Sequence, residues 1–334
     1  MISIVMPVFN EEKYIESCVC SLLKQDYPID DMEWIFVDGC SKDKTKEILL
    51  YYQKRYPSLI KIFDNPNKTV PFAMNIGIKH AMGKYIIRLD AHAEYSTDYF
   101  TKCVKYLDSI DAENVGGILE TKAKTKMGNS IAKMLSSKFG VGNSRFRTSS
   151  DSGYVDTVPF GAFKREVFSK YGGYDERLDR NQDNEMNYRI RKNGGKIYLA
   201  NDINLAYYCR DTIGGISSMA RKNGKWNIIT MKLCPGSMGL RHFVPLLFVL
   251  SILILSGLGF AWWQFWLALG VELTLYLGLD FVFSLKACNS FPSFCVLLIL
   301  FPIFHINYGI GSIVGLINLF FKKYRKKGYV PEKI

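Results

Sequence analysis

The stretch YIIRLDAH, residues 85–92, places a carboxylate and an imidazole directly after a run of mostly apolar residues. This pattern is typical of a buried parallel strand that ends in a loop, and α/β sheets bind ligands at that end. Asp90 and His92 stand two residues apart, and their oxygen and nitrogen ligands together suit Mn²⁺ or Mg²⁺ bridging phosphates. Taken alone, the same residues also fit an Asp that caps a turn beside a surface His.

Strand and helix signals alternate through the first ninety residues. Short apolar runs at 2–8, 34–37, 60–63 and 85–89 predict four strands, and helical patterns separate them. Asn10 is predicted to cap the first helix. Such alternation predicts an α/β fold with a doubly wound, mostly parallel sheet. Because Asp38 and Asp90 both follow strands, we expect them to converge on one crevice.

Beyond residue 115 the pattern is looser. Residues 116–120 predict another strand, whereas residues 140–157 are rich in Gly, Ser and Asn and predict a long mobile loop. Loops of that length in a compact domain are usually functional lids or disordered. Arg145 and Arg147 in this loop could reach a phosphate. A further helix is predicted from about residue 182, with Asp183 at its N-terminal edge, where the helix dipole favours an anion.

The last third of the chain is apolar. Residues 243–263 carry no charge and are long enough to cross the ~30 Å hydrocarbon core of a bilayer. Residues 265–285 contain Glu272 and Asp280, which we expect to face a partner helix or an interface. Residues 291–321 contain Pro302 and end at the basic sequence KKYRKK. We expect a hairpin of two spans, with the third segment bent near Pro302 and returning to the inner face; two, three or four crossings all remain open.

These features predict four regions: a catalytic α/β domain at 1–211, an interfacial amphipathic segment at 212–242, transmembrane helices at 243–321 and a basic cytoplasmic tail at 322–334.

The net charge of +12 supports this division, because basic residues flank the apolar region on both sides. The positive-inside rule then places both flanks in the cytoplasm. The charge tracks the membrane boundaries and no basic-aromatic motif is present, so we expect no nucleic-acid partner. The eight cysteines form no C-x-x-C pair and are expected to be reduced thiols.

Six motifs in order resemble those of the family 2 glycosyltransferases: VMPVFNEE at 5–12, VDGCSKDKT at 37–45, NIG at 75–77, DAH at 90–92, GAF at 161–163 and NQD at 181–183. The similarity covers about residues 1–200 and extends to bacterial exopolysaccharide and capsule enzymes of the succinoglycan-synthesis kind. It implies a GT-A fold, a nucleotide-sugar donor, a divalent cation and inversion at the anomeric carbon.

The resemblance also assigns roles by position. Asp90 and His92 match the family's metal-binding D-x-D motif, with His92 in place of the last Asp. Asp183 matches the general base, and Gln182 replaces the Glu that usually precedes it. The nucleotide-sugar site is expected to comprise Pro7, Val8, Asn10, Glu11, Asp38, Asn75, Asp90 and Ala91. Acceptor or phosphate contacts are expected from Gln182, Arg189, Arg221, Trp226, Arg145 and Arg147.

The predicted function is a membrane-anchored inverting glycosyltransferase of the bacterial inner membrane, with its catalytic domain in the cytoplasm. It would move a sugar from a UDP-sugar donor to a lipid-linked, polyprenyl diphosphate glycan in exopolysaccharide or capsule biosynthesis. The alternatives are a polyprenyl-phosphate glycosyltransferase, a processive synthase and a non-catalytic nucleotide-sugar sensor or scaffold. A Rossmann oxidoreductase is disfavoured, because VFNEEK stands where G-x-G-x-x-G would follow the first strand.

Overall fold

The computed structural model describes residues 1–148, 151–321 and 331–334. The described chain forms two compact units. The first contains residues 1–120, 151–207 and 331–334, and the second contains residues 121–148 and 208–321. The units therefore divide the chain differently from a single boundary after residue 211. The KKYRKK sequence lies outside the described residues.

In the described residues, one mixed sheet organises the first unit. Its strands are β1 Ile2–Val8, β2 Met32–Asp38, β3 Ile60–Asp64, β4 Tyr85–Arg88, β5 Ala93–Tyr95, β6 Asn114–Lys122, β7 Gly153–Tyr154, β8 Ala162–Lys164 and β9 Ile197–Tyr208. The strand order is β3-β2-β1-β4-β8-β6-β9-β5, and β7 pairs with β9. The strands β3, β2, β1 and β4 are parallel, whereas β8 runs antiparallel to β4 and to β6, and β5 and β7 run antiparallel to β9.

Helices follow the parallel strands, as the alternation predicts. Every residue of β2, sequence MEWIFVD, is buried, as expected for a central strand covered on both faces. The helices are α1 Ile15–Leu22, α2 Thr45–Arg55, α3 Val70–His80, α4 Tyr99–Ser109, α5 Lys126–Leu135, α6 Lys138–Val141, α7 Arg145–Thr148, α8 Glu166–Tyr171, α9 Gln182–Lys192, α10 Ile213–Leu233, α11 Val244–Gly259, α12 Gln264–Ala287 and α13 Phe291–Phe320. The predicted α/β fold class is confirmed, but the sheet is mixed rather than mostly parallel, because among the described strands β1 to β4 pair in parallel whereas β5, β7 and β8 run antiparallel to their partners.

Two local predictions were wrong. Asn10 does not cap α1, which begins at Ile15. Instead Asn10 has a left-handed φ of 56° and accepts a hydrogen bond from Lys42 N at 2.8 Å, so the loop after β2 determines its conformation. Residues 140–157 are not one long loop either, because they include the end of α6, all of α7 and the short strand β7.

The C-terminal residues 331–334 pack within the first unit, against α8 and the turn that follows it. Gly173 N donates to Glu332 O at 2.9 Å, and Ser169 Oγ donates to Ile334 O at 2.8 Å. Lys79 Nζ also lies 2.8 Å from a carboxylate oxygen of Glu332. The end of the chain is therefore part of the same unit as its beginning.

In the second unit, α10 packs closely along α13. A methyl group added at Gly224 would collide with Tyr308 O, and one added at Gly311 would collide with Arg221 O. Small residues that bring helix backbones together in this way are typical of membrane helix pairs. The helix α13 runs without interruption through Pro302.

Among the described helices, α12 and α13 are long and apolar enough to cross a membrane, and α11 is a shorter apolar helix. Glu272 on α12 accepts a hydrogen bond from Ser251 Oγ of α11 at 2.5 Å, so it faces a partner helix as expected. Asp280 is fully buried and accepts a hydrogen bond from Ser284 Oγ one turn later.

Candidate active site

A cavity of about 120 Å³ lies at the carboxyl ends of β1, β2 and β4. Among the residues that line it are Pro7, Val8, Glu11, Asp90 and His92, all of which the sequence motifs select. A larger open groove of about 570 Å³ lies near Asp111 and Lys164 and contains none of the predicted site residues. We therefore place the candidate site at the smaller cavity, where parallel sheets bind ligands.

His92 is the centre of a polar cluster in this cavity. Its Nδ1 lies 2.7 Å from Asp90 Oδ1 and 3.2 Å from Glu11 Oε1, and its Nε2 lies 3.0 Å from the Tyr207 hydroxyl. Burial alone would lower the pKa of His92, but the neighbouring Asp90, Tyr207 and Glu11 side chains raise that pKa above its usual range. Burial would likewise raise the pKa of Asp90, but the imidazolium of His92 holds it below its usual range. The side chains around His92 thus stabilise a positive charge on its imidazole.

A divalent cation fits this cluster in part. Within the described part of the chain, no three His, Cys, Asp or Glu side chains form a ready-made metal cluster. Asp90 and His92 offer one oxygen and one nitrogen donor in contact with each other. A hard or borderline cation held by two protein donors takes its remaining ligands from substrate phosphates and water.

The loops after β1 and β2 are joined by side-chain hydrogen bonds. The buried Asp38 carboxylate accepts from Ser41 Oγ at 2.6 Å and from Ser41 N. Glu11 N donates to Thr45 Oγ1 at 2.7 Å. In this state Asp38 therefore stabilises its own loop, and it is Val37 and Gly39 beside it that line the cavity.

Asp183 is the second residue of α9, and its Oδ1 forms an ion pair with Nη1 of Arg88. Arg88 is the last residue of β4, is 5% exposed and lines the same cavity as Asp90. None of the six sequence motifs includes Arg88. The available signal was a single charge within the apolar run YIIRL, which a buried strand tolerates only when the charge has a partner.

Three other predicted residues lie around the turn before α9. Asn75 brackets the backbone of Tyr174: its Oδ1 accepts from Tyr174 N at 2.7 Å and its Nδ2 donates to Tyr174 O at 2.9 Å. Arg189 donates to the carbonyls of Tyr171 and Gly173. Gln182 is buried at the start of α9. Neither Asn75 nor Ala91, which is 1% exposed, is among the residues that line the cavity.

The remaining predicted residues belong to the second unit. Arg145 and Arg147 lie on α7, where Arg147 Nη1 donates to Thr121 Oγ1 at 2.7 Å. Arg221 and Trp226 lie on α10, and Trp226 is buried.

The fold and the site define the class of protein. The family model described as Glycosyl transferase family 2 matches residues 3–172, and the chain belongs to this family. It is a glycosyltransferase with a GT-A fold, as its motifs predict.

Two curated relatives extend the similarity. The chain is 31% identical over 245 residues to the dolichyl N-acetyl-alpha-D-glucosaminyl phosphate 3-beta-D-2,3-diacetamido-2,3-dideoxy-beta-D-glucuronosyltransferase of Methanococcus voltae, covering 68% of this chain and 76% of the relative. It is 30% identical over 209 residues to the succinoglycan biosynthesis protein ExoA of Rhizobium meliloti, covering 62% of this chain and 63% of that protein.

The fold also resembles a solved structure, the mannosyltransferase PcManGT from Pyrobaculum calidifontis in complex with GDP-Man and Mn²⁺. The TM-score is 0.60 at 18% identity, over 96% of this chain and 88% of the other. At this identity the likeness supports the fold alone.

Proposed function

We propose that this protein is a membrane-anchored inverting glycosyltransferase that transfers one sugar from a UDP-sugar donor to a lipid-linked glycan. One observation carries the proposal. Arg88 lines the cavity that contains Asp90 and His92, and it also contacts Asp183. The candidate metal ligands and the candidate base therefore both lie near Arg88, and a single displacement needs a base and stabilisation of the leaving group at one site.

Each residue then has a chemical task. Asp183 accepts the proton of the attacking acceptor hydroxyl, which makes the oxygen a better nucleophile. Gln182 in place of a second acid removes a like charge beside this base. Asp90 and His92 would hold Mn²⁺ or Mg²⁺, which when bound offsets the negative charge that develops on the leaving diphosphate.

The names of the relatives support the substrate class. The Methanococcus voltae relative is named for a dolichyl-linked sugar phosphate, and ExoA is named for succinoglycan biosynthesis. The first name supports a lipid-linked sugar as acceptor, and the second supports a role in exopolysaccharide biosynthesis. A polyprenyl diphosphate as the lipid carrier, and exopolysaccharide or capsule as the product, are our proposal. The solved neighbour is a complex with GDP-Man and Mn²⁺. We propose that this chain likewise uses a nucleotide sugar with a divalent cation, and that its nucleotide carries uridine.

We further propose that α11 and α12 form a membrane hairpin and that the catalytic unit lies on the cytoplasmic side of a bacterial inner membrane. No Lys or Arg occurs between residues 242 and 285, which suits a hairpin whose turn reaches the far side. The chain leaves the first unit after residue 207 and belongs to it again at 331–334, which supports an even number of crossings. The interfacial role of residues 212–242 and the cytoplasmic tail at 322–334 are part of this proposal.

The test uses the full-length protein in detergent with a panel of uridine and guanosine diphosphate sugars, Mn²⁺ and polyprenyl diphosphate glycans. We expect one UDP-sugar to support acceptor-dependent nucleotide release, and Asp90→Ala to abolish it. Tight UDP binding without turnover on any acceptor would indicate the sensor or scaffold instead. Transfer to polyprenyl phosphate that does not depend on Asp183 would indicate the polyprenyl-phosphate glycosyltransferase.

A further inference from the structure

We propose that Arg88 is a positioning residue that holds Asp183 in the orientation needed to deprotonate the acceptor. This inference rests on the proposed function, in which Asp183 is the base. It assigns a catalytic purpose to a buried cation that none of the sequence motifs includes.

Arg88 is held rigidly at the end of β4. Its backbone N donates to Gly161 O at 3.0 Å. Its guanidinium carbon lies 5.7 Å from the ring centroid of Phe160 and 5.9 Å from that of Tyr174. Aromatic faces attract a guanidinium without supplying a hydrogen-bond acceptor, so they restrict its position while leaving its N–H groups for another partner.

That partner is Asp183. A buried cation is strongly destabilising unless a charge compensates it, and the guanidinium forms an ion pair with Asp183 Oδ1. The side chain of Arg88 is 6% exposed and that of Asp183 is 28% exposed. The buried end of the pair is therefore the cation, and the carboxylate is the end that a substrate can reach.

The two oxygens of Asp183 differ. Oδ1 is bound by Arg88, whereas Oδ2 makes no hydrogen bond within the described parts of the chain. One oxygen is thus anchored and the other is available to accept a proton. Such fixation matters because a displacement of about 1 Å at a catalytic group can lower the rate about 100-fold.

Arg88 is also close in sequence to the candidate metal site. It stands two residues before Asp90, and both residues line the same cavity. The test must therefore separate an effect on the base from an effect on donor binding.

The experiment is a double-mutant cycle on the full-length protein, with Arg88→Gln, Asp183→Asn and both together. Arg88→Gln should lower kcat about 10- to 100-fold with the KM for donor and the Kd for UDP unchanged. In the Asp183→Asn background the same substitution should change kcat by less than about twofold, because its target is gone. Arg88→Lys keeps the charge and should restore part of kcat, which loss of packing alone would not predict.

A matched control is Lys61→Gln, which breaks another ion pair of the same sheet. Lys61 Nζ lies 2.7 Å from Glu33 Oε2, and neither residue lines the cavity. This variant should leave kcat unchanged. Three results would each overturn the assignment. The first is that the kcat losses of Arg88→Gln and Asp183→Asn multiply in the double variant, and the second is that Arg88→Lys loses as much kcat as Arg88→Gln. The third is a loss of UDP affinity that matches the loss of kcat. Normal turnover in Asp183→Asn alone would instead refute the proposed base, whatever the behaviour of Arg88.

Discussion

The imidazole Nδ1 of His92 lies 2.7 Å from Oδ1 of Asp90, so the two side chains form an ion pair. These are the two residues that match the metal-binding D-x-D motif of the family. A histidine must lose its proton to bind a metal. A cation bound here would therefore replace the positive charge of the His92 imidazolium beside Asp90. A His at this position changes the donor set from two oxygens to one oxygen and one nitrogen.

The first prediction concerns metal selectivity. His92→Asp should shift the preference of the enzyme from Mn²⁺ toward Mg²⁺, because an all-oxygen set suits the harder ion. The measurement is nucleotide release during titration with each metal. Asp64→Asn, at an exposed carboxylate of β3, is the control and should leave the preference unchanged. Unaltered selectivity in the His92 variant would argue against direct ligation by this residue.

The second prediction concerns the acceptor. Asp183→Asn keeps the shape of the side chain but removes the proton acceptor, so transfer to a hydroxyl should slow by about 10²- to 10⁴-fold. A phosphate acceptor needs no such base, so transfer to polyprenyl phosphate that persists in this variant would instead indicate the polyprenyl-phosphate glycosyltransferase. Calorimetric titration should show that the variant still binds UDP; lost affinity would make Asp183 a donor-binding or structural residue.

The third prediction concerns Asn75, which brackets the backbone of Tyr174. Asn75→Ala leaves a buried N–H and a buried carbonyl with one partner fewer, so the free energy of unfolding should fall by about 1–3 kcal/mol. Thermal unfolding in detergent measures this loss, and Asn67→Ala, at an exposed Asn, is the control. A large loss of UDP affinity without a loss of stability would favour the nucleotide-binding role that the motif predicts.

The fourth prediction concerns the α10–α13 helix pair. Gly311→Ala should lower the unfolding temperature, since the new methyl group meets the Arg221 carbonyl and the helices must separate. Gly278→Ala on α12 is the matched control, because nothing lies within 4 Å of its added methyl group. Equal unfolding temperatures for the two variants would show that the close approach contributes nothing to stability.

The fifth prediction concerns membrane topology. In intact cells a membrane-impermeant thiol reagent should label Ala261→Cys in the turn between α11 and α12, and should not label Glu332→Cys until the cells are opened. The reason is that residues 331–334 pack on the catalytic unit, proposed to be cytoplasmic. Labelling of Glu332→Cys from outside would instead require an odd number of crossings.

The sequence predicted the parallel half of the sheet well because its signals are local. Apolar runs, helical spacing and strand-end carboxylates are all read within about ten residues. The wrong assignment of Asn10 has a long-range cause: its partners Ser41 and Lys42 lie more than thirty residues away. The bracket between Asn75 and Tyr174 spans 99 residues and could not be anticipated from the NIG motif alone.

Arg88 illustrates a different limit. Its charge interrupts an apolar strand and is visible in the sequence, but its partner Asp183 comes from an element that begins more than ninety residues later. A charge in a buried strand indicates that an oppositely charged partner exists, but it does not indicate which residue that partner is. The membership of residues 121–148 in the second unit was equally hidden, because no composition change marks where the chain leaves the first unit.

The packing of residues 331–334 within the first unit has a consequence for biosynthesis. A ribosome makes these four residues after every described helix, yet Gly173 and Ser169 hydrogen-bond to them. The first unit can therefore complete these contacts only after residues 331–334 have been synthesised, and truncated products that end in the apolar region lack them. The last contacts of the first unit thus form only after the apolar helices of the second unit have been made.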